Sequence, residues 1–238
     1  MFAILKKEFN SFFASPIAYL VIGVFLLING LFLWIFKDEF NILNAGFADL
    51  NPFFFLAPWV FLFLIPAITM KSFADEFSNG TIELLKTKPI SNWQIVLGKF
   101  WASLLLVTVA LIPTLIYVYT VYQLGSVIGN LDFGTTIGSY IGLIFLAATY
   151  TAIGLFTSTI SKNQIIAFIL GVFITFILFY GFDAISNSLD NNLTIKKLGI
   201  NEHFKSISRG VIDTRDLIYF ISVTVFFLFI TKTRLENE

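Results

Sequence analysis

The sequence contains no cysteine and a single histidine, His203. Without cysteine there is no disulfide, no thiol nucleophile and no thiolate metal site. One histidine cannot form a paired-histidine zinc motif, and no Ser, His and Asp set falls inside an apolar run. His203 therefore reads as a solvated loop residue. Charge is scarce: Asp, Glu, Lys and Arg make up 13% of 238 residues and sum to zero, with no long basic run to track a nucleic-acid backbone, so nucleic acid is not an expected partner. A phosphate-cradling loop is missing as well. Its nearest approximation, Gly98-Lys99, has Trp93 where the first glycine belongs and Phe100 where the hydroxyl belongs. No catalytic, cofactor-binding or metal-binding residue is expected, and any nucleotide must be handled by another subunit.

Ionisable residues are almost absent from the apolar runs, where Asn29 is the clearest polar side chain besides hydroxyls. A protein driven by an ion gradient needs a buried relay of such groups. No proline follows Pro113, so Pro58, Pro66 and Pro113 have no counterparts that would break helices in a matching second half. Asp183 ends its run in Tyr180-Gly181-Phe182-Asp183, which lacks the second glycine and second aspartate of an intramembrane aspartyl protease. It reads as a helix-end carboxylate at the water boundary.

What the chain has in abundance is apolar surface: 57% hydrophobic residues and a mean hydropathy of +0.86, too much for one soluble core of this size. The expected fold is an all-α integral membrane protein, a single domain over 1–238. Six runs approach the ~20 apolar residues that cross ~30 Å of hydrocarbon: 16–36, 52–70, 100–122, 137–160, 164–182 and 217–231. The last is the shortest. Residues 1–15 put Phe2, Leu5, Phe9 and Phe12 on one stripe, as in an N-terminal amphipathic helix lying in the membrane interface. The run after it is too long for a secretory signal core and is read as an uncleaved span.

With both termini on the cytoplasmic side, nine Lys and Arg fall inside and six outside, five of the six in the loop 184–216. That loop spreads Leu193, Leu198, Phe204, Ile207 and Val211 at near-helical spacing, so short interfacial or re-entrant helices are expected. It also holds the sequon Asn192-Leu193-Thr194. Gly134, Gly138 and Gly142 recur every four residues, the spacing at which helix backbones approach closely in lipid, either within the subunit or between subunits.

The most informative stretch is polar: 71–99, on the cytoplasmic side. Asn79-Gly80 tolerates positive φ and should end a helix running from Lys71. Thr81 is placed to cap a second, two-turn helix with Glu83 in its first turn, Lys86 and Lys88 at its end, and Pro89 as a stop. Ser91 and Gln94 have capping-box spacing and restart the chain. The short helix presents Ile82, Leu84 and Leu85, either folded back on the bundle or laid into a partner's groove.

The pattern Glu76-x-x-x-Gly80-Thr81-x-Glu83-x-Leu85, then Pro89-Ile90-Ser91 and Ile95-Val96-Leu97-Gly98-Lys99-Phe100, resembles the coupling segment of ABC-2-type transporter permeases. The run from His203-Phe204 through Arg209-Gly210 to Tyr219-Phe220 is similar to the stretch before that family's last helix. Among these permeases the chain is most similar to the gliding-motility-associated ones. The resemblance implies a multi-pass subunit of the bacterial inner membrane whose cytoplasmic coupling helix, between spans 2 and 3, docks on a separate ABC ATPase subunit that holds ATP and Mg. Glu76, Gly80, Thr81, Ile82, Glu83, Leu84 and Leu85 would form the docking segment, beside a second permease subunit, identical or related. The substrate is not implied. The competing class is a membrane scaffold or anchor of a motility or secretion machine that moves no solute.

Overall fold

A computed structural model describes the chain apart from residues 45, 88, 126, 128, 190–192, 212 and 238 and the side chain of residue 86. Residues 88, 192 and 212, which belong to the expected end of the short helix, the sequon and the outer loop, thus lie outside the described residues. The described chain is helical throughout, and six of its helices are long and apolar enough to cross a membrane. In chain order the elements are α1 (Phe2–Ala14), α2 (Ile17–Ile35), α3 (Asn51–Ser78), α4 (Thr81–Lys86), α5 (Asn92–Leu124), α6 (Phe133–Ile160), α7 (Gln164–Ser188), α8 (Ile200–Ile207) and α9 (Thr214–Asn237).

Starts and stops follow local chemistry. Asp132 accepts from the backbone of Gly134 and Thr135 to open α6, and Asn163 accepts from Ile165 to open α7. Within α3, Pro58 and Pro66 offer no N–H to the carbonyls four residues back, yet the helix runs on through both. Pro113 sits in a tight turn, Ile112–Thr114, inside α5, where the Thr114 hydroxyl donates to the Leu111 carbonyl at 2.7 Å. Membrane helices absorb such breaks when side chains and neighbours satisfy the freed groups.

Packing divides the spans. The apolar windows of α3, α5 and α6 are 67–72% buried, those of α2, α7 and α9 only 22–28%. The first three therefore form the interior and the others present broad apolar faces outward. α6 is central, touching α3, α5, α7, α8 and α9, while α1 and α2 lie against α5. Asn29, buried in α2, donates to the Phe25 carbonyl of its own helix at 2.8 Å.

Glycine permits several close approaches, two of which seat short helices at the ends of the bundle. A Cβ on Gly138 would stand 2.8 Å from the Ile207 carbonyl oxygen, and one on Gly142 would meet the Phe204 ring at 3.2 Å. This pair lies beneath α8 of the same chain, whereas Gly134 is the capped first turn of α6. Gly98 does the same for α1, whose Ile4 Cβ lies 2.8 Å from where a Cβ would be.

Several expectations need correction. The last apolar run, 217–231, is continued at both ends by polar residues, so α9 has 24 residues and spans about 36 Å at ~1.5 Å per residue. Lys232 and Glu236, one turn apart, pair at 2.6 Å and support its end. Asp183 is not at the end of its helix and is buried. α7 continues to Ser188, α8 covers it, and Asn201 donates to Asp183 Oδ2 at 2.6 Å. His203 is not a free loop residue: it lies in α8, half-buried and fully engaged. Its ring stacks on Tyr219 with centroids 3.8 Å apart, Nδ1 lies 2.6 Å from Asp216 Oδ1 and Nε2 lies 2.8 Å from the Lys197 carbonyl. Of the outer-loop apolar residues, Phe204 and Ile207 are buried against α6, while Leu193, Leu198 and Val211 are exposed.

Candidate coupling site

At ~1.5 Å per residue the 28 residues of α3 reach about 42 Å, well beyond ~30 Å of hydrocarbon. The excess is its polar last turns, Lys71–Ser78. α5 overshoots at the same end, because the capping box starts it at Asn92. Ser91 Oγ accepts from the Gln94 backbone, and Gln94 Oε1 accepts from the Ser91 backbone, each at 3.3 Å. The α4 segment bridges these two overhanging ends.

The turn into α4 is made by Gly80, whose φ of +68° lies in the left-handed region that side chains other than glycine's rarely adopt. Gly80, not Thr81, holds the N-cap position. The Thr81 hydroxyl instead points back and donates to the Glu76 carbonyl at 3.5 Å, closing the end of α3. At the other end the Thr87 hydroxyl donates to the Leu84 carbonyl at 2.9 Å.

The apolar residues of α4 do not act together. Ile82 is buried in the core of the same chain and Leu85 is half-buried against it, so the alternative of folding back on the bundle describes these two, and Leu84 alone, 66% exposed, is left uncovered. The reason is helical geometry. Ile82 and Leu85, three apart, share the face turned to the bundle, and Leu84 falls on the other side with exposed Thr81 and Glu83 beside it.

Glu76 is also turned inward, onto a buried charge cluster that joins three helices. Lys99 of α5 is 2% exposed, and its three N–H donors have three acceptors: Ser72 carbonyl at 2.7 Å, Glu76 Oε1 at 2.8 Å and Glu8 Oε1 at 3.1 Å. The ammonium also lies 5.1 Å from the Phe73 ring centroid, within cation–π range. The exposed Lys7 ammonium, 3.6 Å from Glu8 Oε1, balances the second carboxylate from the solvent side, and Glu76 Oε2 is buried with no partner among the described residues. Such a cluster tolerates its desolvation only while every member is present. Removing one charge of a buried pair typically costs about 3–5 kcal/mol. Next to it, Gln164 Nε2 donates to Asp75 Oδ1, fastening the end of α3 to the start of α7.

The arrangement performs no bond chemistry. Mechanically it is a short helix with one exposed apolar side chain and one exposed carboxylate, held on a base in which α1, α3 and α5 are locked together by charge. The pairing of Lys99 with Glu8 and Glu76 is what sequence reasoning missed. A signal for Lys99 was present: it is the one ionisable residue in the apolar stretch from Ile95 to Leu106, and a charge so placed requires a partner.

A family profile described as an ABC-2 family transporter protein matches residues 2–208, a stretch containing all of α1 to α8. Comparison with curated proteins gives no match.

Proposed function

From the premise that this chain belongs to the ABC-2 transporter family as a multi-pass membrane component, we propose that it is the permease subunit of a gliding-motility-associated ABC transporter in a bacterial inner membrane. The family implies a partner ATPase. In this reading α4 is the cytoplasmic surface on which that subunit docks, with both chain termini on the same side. Nucleotide and Mg are bound by the ATPase, and the permease moves with a second permease chain, identical or related, that completes a path for a substrate of unassigned identity.

One observation carries the docking assignment. α4 exposes Leu84 with Glu83 and Thr81 while its other face is buried, and its two flanks are α3 and α5, which meet at Lys99. A push on α4 therefore reaches two interior spans, α3 across the Gly80 turn and α5 across the few residues up to Ser91, and those two spans are tied to each other at Lys99. ATP-driven closure of the ATPase pair would tilt those spans together, a rigid-body transition rather than the titration of a buried group. Glu76, Gly80, Ile82 and Leu85 shape and support the docking helix, and the contact itself falls to Thr81, Glu83 and Leu84.

The test is co-purification of the ATPase with the Glu83→Ala/Leu84→Ala double variant. Interface anchors are each worth ~2 kcal/mol when truncated, so retention should fall by about tenfold or more, at ~1.4 kcal/mol per tenfold. Full ATPase retention and full ATP-dependent activity in this variant would remove α4 from the interface. The motility assignment is tested separately. A strain lacking the gene should lose gliding and regain it with the wild-type copy, and unimpaired gliding would overturn that part of the reading alone.

A further inference from the structure

The end of the bundle opposite α4 holds a cavity of about 870 Å³, within the ~300–1,000 Å³ range of ligand sites. It is an open cavity bounded by the start of α3, the end of α7, α8 and the connection between α2 and α3. Its apolar wall includes Phe55, Trp59 and Tyr180. Trp59 meets the Phe179 ring edge-on at 5.3 Å and Tyr180 at 5.7 Å, and Phe55 and Tyr180 remain largely uncovered.

The charged lining has both signs, and they neutralise one another only in part. Lys205 and Arg209 come from α8 and the residues just past it, while Glu39 and Asp49 come from the α2–α3 connection. Arg209 and Glu39 make no ion pair among the described residues, and Lys205 stands 3.7 Å from Asp183 Oδ2. Asp183, buried under Asn201, has an Oδ1 with no donor. Three carboxylates against two cations argue against a purely anionic guest, which would add to the excess. Two cations with at most one loose partner argue against a purely cationic one.

We propose that this cavity binds a zwitterionic amphiphile of the aminophospholipid class. Its phosphate pairs with Lys205 and Arg209 through charge-assisted hydrogen bonds. Its amine faces Glu39, and its chains lie along Phe55, Trp59 and Tyr180, side chains of the type that populates the membrane–water boundary. The guest bridges two elements, α8 and the α2–α3 connection, that have no ion pair of their own across the cavity.

The experiment uses the full chain purified from vesicles of equal parts phosphatidylethanolamine and phosphatidylglycerol, with retained lipid read by native mass spectrometry. The wild type should retain phosphatidylethanolamine about tenfold over phosphatidylglycerol, a preference of ~1.4 kcal/mol. Lys205→Ala/Arg209→Ala should return the ratio to that of the vesicles, and Glu39→Gln should shift it toward phosphatidylglycerol. All three side chains are exposed, so melting temperature should not change. If the double variant melts early, Trp59→Ala serves in its place and should lose retention of both lipids. Retention by the wild type at the vesicle ratio, a preference for phosphatidylglycerol, or variants indistinguishable from wild type would each overturn the proposal. No ATPase is present in the assay, so its outcome is independent of the docking assignment.

Discussion

The two ends of the bundle handle their charges in opposite ways. At the α4 end, Lys99 is enclosed and every one of its protons has an acceptor drawn from α1 or α3. At the other end, α8 rests on two glycines of α6, is clasped through His203 to Asp216, and borders an open cavity where Arg209 and Glu39 have no ion pair among the described residues. Helices joined at a buried ammonium whose donors are all satisfied move as one piece, because separating them exposes uncompensated charge. A layer seated on glycine contacts, with charges at its rim that have no ion pair among the described residues, separates at less cost. The difference suits a machine that receives force at one end and changes shape at the other.

The contrast is broken most severely at Lys99. Lys99→Ala leaves the half-buried Glu8 and Glu76 side by side with only the exposed Lys7 near Glu8, and the expected loss is about 3 kcal/mol, the low end for breaking a buried pair, read as a large fall in melting temperature or in yield of folded protein. A Glu8→Gln/Glu76→Gln/Lys99→Met variant, which removes all three charges, should recover most of that loss. A Lys99→Ala chain as stable as wild type would show that the cluster locks nothing.

At the opposite end the expected effects are smaller. Gly138→Ala places a methyl 2.8 Å from the Ile207 carbonyl oxygen and must lift α8. The cost should be about 1–3 kcal/mol, with faster hydrogen exchange confined to α8. Protection lost across the whole bundle would mean that this end is not separable. The smallest stability effect belongs to Leu84→Ala, within about 0.5 kcal/mol because the side chain is exposed, even though the same substitution should weaken ATPase retention. That dissociation of stability from partner binding separates a docking residue from a packing one.

Much of the α4 region was legible because its determinants are local. Asn79-Gly80 ends α3, and the Ser91–Gln94 capping box opens α5, each through residues within a few positions of one another. Thr81 was misplaced by one position, since Gly80 takes the cap and leaves the hydroxyl to close the preceding helix. The apolar runs indicated six crossings, but not where helices end, because backbone hydrogen bonds continue through polar residues once a helix is established. Hence α3 and α5 extend past their runs and α9 extends at both ends. What could not be read were partnerships across the chain: Glu8 with Lys99, 91 residues apart, and Asp183 with Asn201. Hydropathy records that Lys99 is costly in its setting but not which carboxylates offset the cost.

Because the chain has no cysteine, single-cysteine labelling reports one site at a time, and it tests the lever most directly. Leu84→Cys and Arg209→Cys should react with a membrane-impermeant maleimide from opposite sides of the membrane. Adding the ATPase should protect Leu84→Cys alone, by about tenfold or more for a buried interface position. Labelling of both positions from the same side, or equal reactivity of Leu84→Cys with and without the ATPase, would contradict the assignment of α4 as the surface through which this permease is driven.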